Sequence, residues 1–189
     1  MTDLPPGRPE PLGHVSTEGG PLVIGDRLDI GAWTGITGNA YEWLCGELIP
    51  ALPRAIQIRA PRPEAVAWNV PTGTTFVWRL SYDAILLTRT WVVEQDDDLS
   101  LVASVPIVMS EHLGRFHVRS GWLAVMWAAE GGFDLLLVEP EDGLALDLSV
   151  GHAALVASLP PGDYECWGDE VEAGQTFAMR CLISRRAAR

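Results

Sequence analysis

Most apolar stretches in this chain are short, rich in β-branched or aromatic residues, and bounded by Gly, Pro or Asp, which is the pattern of β-strands. Pro21 to Gly25, Ala55 to Ala60, Ala65 to Val70 and Thr74 to Leu80 all read this way. Ala84 to Glu94 begins like a helical turn but ends in Thr-Trp-Val-Val, which favours a strand. Leu99 to Met109 reads alike, with Pro106 marking an edge position or a bulge. Trp122 to Trp127 is apolar throughout, so both faces of that strand are expected to be covered, with its two tryptophans on opposite sides. Phe133 to Val138 follows a Glu-Gly-Gly turn. Further strands are expected over Gly143 to Leu148, Ala153 to Leu159, Asp163 to Trp167 and Gln175 to Ser184. In the last of these Phe177, Met179, Cys181 and Ile183 alternate onto one face.

One stretch has helical spacing instead. Asn39 and Glu42 form a capping box, and Tyr41, Leu44, Cys45 and Leu48 then make a single apolar stripe. Gly46 weakens this helix by about 1 kcal/mol relative to Ala, and Pro50 ends it. The pattern as a whole predicts an α+β fold, mainly antiparallel β-sheet with one or two short helices. A length of 189 residues suits one domain. Residues 1–14, with Pro5, Pro6, Pro9 and Pro11, read as a flexible Pro-rich leader, 15–184 as the compact domain, and 185–189 as an Arg-rich tail.

Charge narrows the range of partners. Twenty-five acidic residues face thirteen basic ones, all of them arginine, for a formal net charge of −12. Such a chain repels phosphate backbones, so nucleic acid is not expected as a partner, whereas a basic protein surface would be drawn to it. No apolar run approaches the about 20 residues that a membrane-spanning helix needs, and no signal-like segment opens the chain. Cys45, Cys166 and Cys181 are widely spaced and contain no CxxC pair, which suggests buried, reduced thiols in a cytoplasmic protein and no zinc site.

Candidate chemistry is sparse. Asp147-Leu-Ser-Val-Gly151 lacks the first glycine of a nucleophile elbow, so Ser149 reads as a strand-end serine. Gly31 to Gly38 lacks the Gly-Lys-Ser/Thr of a phosphate loop and reads as turns. His112 and His117, five positions apart on one strand, are expected on opposite faces, which does not suit a shared metal. No catalytic residue, cofactor or metal is assigned. Two acidic clusters, Asp96-Asp97-Asp98 and Glu139 with Glu141 and Asp142, fall in expected loops and are the partner-binding candidates. Of the eight tryptophans, Trp78 and Trp91 are expected in the core, and Trp33, Trp43, Trp68 and Trp167 near turns or helix surfaces, where an exposed one would suit an interface.

Gly19-Gly-Pro-Leu22, then Trp33-Thr-Gly35, then Tyr41-Glu-Trp-Leu-Cys45 follow one another in an order that resembles the immunity proteins of bacterial polymorphic toxin systems, in particular the immunity protein 21 family. That family carries a Trp-x-Gly motif followed by a Tyr-xxx-Cys motif, matched here by Trp33, Gly35, Tyr41 and Cys45. Val118 to Val125 and Leu159 to Tyr164 are also similar, so the resemblance extends over Val15 to Ile183. It implies an α+β fold and a protein that binds a cognate toxin domain, with the four motif residues structural because Tyr41 and Cys45 share the apolar helix stripe. A basic toxin as partner and a monomer or weak homo-oligomer are expected. The alternatives are a small hydrolase-type enzyme assembled from distant strands and a small-ligand-binding domain.

Overall fold

The computed structural model describes residues 8–17, 20–34, 55–58, 64–70, 73–90, 98–108, 110–127, 139–148, 152–173 and 176–187. Among them the chain forms two six-stranded sheets and two short helices, so the fold is mainly antiparallel β-sheet. The first sheet runs in the order β1 (Glu10–Thr17), β5 (Gly73–Ser81), β6 (Ala84–Thr90), β12 (Thr176–Arg185), β11 (Gly162–Ala173) and β7 (Glu111–Val118). The second runs β3 (Ala55–Ile58), β4 (Ala65–Val70), β2 (Gly20–Asp26), β8 (Trp122–Trp127), β10 (His152–Ser158) and β9 (Leu144–Leu148). Every neighbouring pair is antiparallel. Consecutive strands such as β1 and β2, or β7 and β8, belong to different sheets, so the chain repeatedly crosses from one layer to the other.

Period-two alternation builds the layers. Leu22, Ile24, Val66, Trp68, Val125 and Leu155 of the second sheet meet Val77, Ile85, Leu87, Phe116, Tyr164 and Cys181 of the first in one buried core. The outer face of the second sheet carries small side chains, Ala65, Ala67, Ala124 and Ala154, which let Ile30 of α1 (Arg27–Thr34) pack closely. On the outer face of the first sheet, Ala103 of α2 (Asp98–Ser104) joins Trp78, Leu86 and Leu182, while Val102 joins Val171, Ala173 and Ala178. Both faces of β8 are covered as expected: Leu123 to Met126 are fully buried, with Trp122 against the outer cluster and Trp127 against the inner one.

Several expectations change. Leu99 to Met109 was expected as a strand, but residues 98–104 are helical. Val102 and Ala103 are buried and Leu101 and Ser104 exposed, so one side of a helix, and not alternate residues, faces the sheet. Pairing of β1 with β5 begins at Glu10, ahead of the domain start expected at Val15; Leu12 packs on the core, and Gly13, Val15 and Thr17 stand opposite Val77, Thr75 and Gly73. Trp68, expected near a surface, is 1% exposed in the core. α1 falls where only turns were expected. The helix expected over Asn39 to Leu48 and the strand over Phe133 to Val138 lie outside the described residues.

His112 and His117 share a face. β7 pairs Gly114 with Cys166 but His112 with Trp167, so Leu113 is an extra residue that reverses the alternation. His112 then stands against the Trp167 ring with centroids 4.8 Å apart, and His117 Nδ1 lies 2.8 Å from Asp163 Oδ1 on the same outer face.

Candidate protein-binding surface

Three polar clusters hold the connecting segments in place. At one end of the sandwich Asp26 is fully buried between α1 and the β7–β8 turn. Its Oδ1 accepts the backbone N–H of Leu28 at 2.9 Å, capping the helix, and its Oδ2 accepts those of Arg119 at 2.8 Å and Ser120 at 2.7 Å. Arg119 also pairs with Asp29, whose pKa burial and the nearby Asp26 carboxylate together raise.

The second cluster ties the two sheets together. Asp142, in the turn before β9, accepts from Arg79 Nη2 of β5 at 2.7 Å and from the Ser158 backbone N–H of β10 at 2.6 Å, both on Oδ1. Its Oδ2 accepts the Ser158 hydroxyl at 2.7 Å. Burial works to raise the Asp142 pKa, but the two Ser158 hydrogen bonds and the Arg79 charge outweigh it and hold the carboxyl below its ordinary value. Arg79 and Ser158 also line an open depression of about 470 Å³ together with Tyr82, Gly121, Leu159 and the two prolines that follow. Tyr164 donates to the Pro160 carbonyl at 2.7 Å, and burial pushes its pKa up to about 12.

The third cluster lies under α2. Arg180 is 2% exposed, and all five of its guanidinium N–H donors are used. Nε and Nη2 bind the two oxygens of Asp169 at 2.8 and 2.5 Å. Nη1 reaches the carbonyls of Val102 and Val105 at 3.0 and 2.7 Å, and Nη2 also reaches that of Pro106 at 3.1 Å. Asp169 Oδ2 in turn accepts the Val108 N–H at 3.1 Å, and the Ser110 hydroxyl donates to the Gly168 carbonyl at 2.8 Å. One arginine therefore satisfies the C-terminal carbonyls of the helix and fixes the extended segment behind it.

A fourth arginine, Arg89, projects from β6 into the space between the sheets. It is fully buried, donates to Thr75 Oγ1 at 3.0 Å, and has its pKa lowered to about 10 by burial, so it stays charged at neutral pH. Cys166 and Cys181 are buried free thiols on adjacent strands, and burial pushes the Cys166 pKa well up.

The residues expected at the interface separate. Glu139 and Glu141 are exposed beside Asp142, whose carboxylate is occupied within the chain. Asp98 is the first residue of α2, and Asp96 and Asp97 lie outside the described residues. Of the motif residues, Trp33 lies in α1; Gly35, Tyr41 and Cys45 are outside the described residues. The sequence reading passed over Arg180 and Asp169. A charged residue on each of two hairpin strands at facing positions, among residues otherwise apolar on that side, was the available signal. Among the described residues no group of three or more metal-ligating side chains occurs, and no helix is long and apolar enough to cross a membrane. No protein-family model matches the chain, and no curated protein or solved structure matches it either.

Proposed function

We propose that this chain is an immunity-type protein of the cytoplasm that binds a cognate bacterial toxin domain and neutralises it by covering the active or substrate-binding surface. The observation that carries this reading is the charge of the chain. Arg89 and Arg180 are buried, Arg27 is 8% exposed, and Arg79 is held by Asp142. Glu10, Glu139, Glu141, Asp163, Glu170 and Glu172, by contrast, are exposed. Burial withdraws acids too, Asp26 and the Asp169 that pairs with Arg180, so it is the chain's overall net charge of −12 that suits a basic partner. A toxin that acts on nucleic acid needs a positive cleft, and an acidic protein competes for it directly. The order of Trp33, Gly35, Tyr41 and Cys45 supports the same reading through the family resemblance.

The test uses the purified chain and the purified product of the gene beside its own. A stable complex whose association slows steeply as salt rises is expected, because steering by charge is screened over about 10 Å at 0.1 M salt. Absence of a complex at low salt contradicts the proposal.

A further inference from the structure

We propose that the open depression lined by Arg79, Tyr82 and the Pro160–Pro161 pair is the surface that seats this basic partner; the proposal rests on the partner-binding reading above. Three turns meet there. Tyr82 comes from the β5–β6 turn, Gly121 from the β7–β8 turn, and Ser158, Pro160 and Pro161 from the end of β10 and the segment that follows. The Tyr82 ring is large and apolar, yet the residue is 68% exposed.

The walls are fixed from within the chain. The Leu159 N–H donates to the Gly121 carbonyl at 3.0 Å, and the Pro160 carbonyl accepts the Tyr164 hydroxyl. Arg185 Nη2 donates to the Pro161 carbonyl at 3.1 Å, and Arg79 Nη2 to the Ser158 carbonyl at 3.0 Å and hydroxyl at 3.1 Å. Two successive prolines restrict the backbone further. The shape is therefore set before any partner arrives, which lowers the ordering cost of binding. Among the described residues every hydrogen bond of Arg79 leaves from Nη2, so Nε and Nη1 keep donors for backbone carbonyls of an occupant.

Form and charge together define that occupant. A small-molecule site encloses about 70–90% of its ligand's surface, whereas this depression of about 470 Å³ is open and suits one side chain of a protein surface. The charge of Arg79 is met by Asp142. Around that pair, Glu10 stands opposite Arg79 on β1, Asp83 follows Tyr82 and accepts the Ser81 hydroxyl at 2.8 Å, and Glu141 is exposed next to Asp142. Three carboxylates against Arg185 leave the surroundings acidic. A second copy of the chain would set these carboxylates against themselves. The occupant that fits is a loop of a basic protein, with an apolar side chain between Tyr82 and the two prolines and Arg or Lys on either side of it.

The experiment measures binding of the neighbouring gene product to the full-length chain, to Tyr82→Ala and to the double variant E10Q/E141Q. Tyr82 is exposed, so Tyr82→Ala is expected to unfold at the wild-type temperature while weakening binding by about tenfold or more. The double variant is expected to slow association at low salt and to match wild type at high salt. Leu101→Gln, exposed on α2, and Glu172→Gln, near the far end of β11, are expected to bind as wild type does. Wild-type-like binding by Tyr82→Ala overturns the depression but leaves the partner-binding reading standing, and so does an equal loss in Leu101→Gln. Failure of the wild-type chain to bind overturns both. Self-association of the chain that Tyr82→Ala abolishes assigns the depression to a second copy and also overturns the proposal.

Discussion

Removing the Asp169 carboxylate leaves the Arg180 guanidinium buried without its counter-charge, a change that costs about 3–5 kcal/mol when one partner of a buried pair is lost. Asp169→Ala is therefore expected to lower the denaturant midpoint by that equivalent, read by urea unfolding; a loss no larger than that of a surface substitution would show that the pair is dispensable. Asp142 gives a pH-dependent counterpart. Its folded pKa lies below the ordinary value of 3.8, so its hydrogen bonds stabilise the fold above that value, and this contribution is lost as pH falls through the lower folded value. Unfolding curves are expected to separate wild type from Asp142→Asn at pH 7 and to bring them closer in acid; a constant separation would contradict the assignment. The acidic residues of both clusters were legible as residue types, but which of them is spent internally was not. Asp142 and Glu141 are neighbours in one turn, and only the arrival of Arg79 from β5 and Ser158 from β10 distinguishes them.

Among the elements, strands were the more legible. Runs such as Ala65 to Val70 and Trp122 to Trp127 carry β-branched and aromatic residues between breakers, and they form β4 and β8 as expected. α2 was not legible, because Val102, Val105, Ile107 and Val108 have strand propensity and Pro106 fits an edge strand. Packing of Val102 and Ala103 on the sheet and capping by Arg180 from β12 override that propensity, and both come from distant sequence. Likewise a single extra residue, Leu113, put both histidines on one face, and the signal available for it was the neighbouring Gly114, since a glycine inside a strand often marks a bulge. The turn before β9 offers a sharper test. Gly143 has φ +73°, and a Cβ there would lie 2.1 Å from the Leu12 carbonyl oxygen. Gly143→Ala thus combines left-handed strain of about 1–2 kcal/mol with a backbone collision. It is expected to destabilise the fold by more than the strain alone and to loosen β1, read by faster amide exchange from Leu12 to Val15. Unchanged exchange there would contradict the close approach.

At the scale of the molecule, the pattern of apolar stretches predicted a chain of mainly antiparallel β-sheet, but not its division into two sheets. Strand order depends on which hairpins cross between layers, and nothing in the alternation of β1 or β7 says that each is followed by a strand of the other sheet. The burial of Arg89 between the sheets and of Arg180 under α2 was equally hidden, since arginine reads as a surface residue until its partners are known. Under the proposed function, this two-sheet fold with a net charge of −12 serves to cover a basic protein partner. The most direct test of that role is growth of a bacterial host that expresses the product of the neighbouring gene, with and without this chain. The account predicts growth arrest by the neighbour alone and recovery when the intact chain is co-expressed. Arrest that persists while both proteins accumulate in soluble form would contradict it.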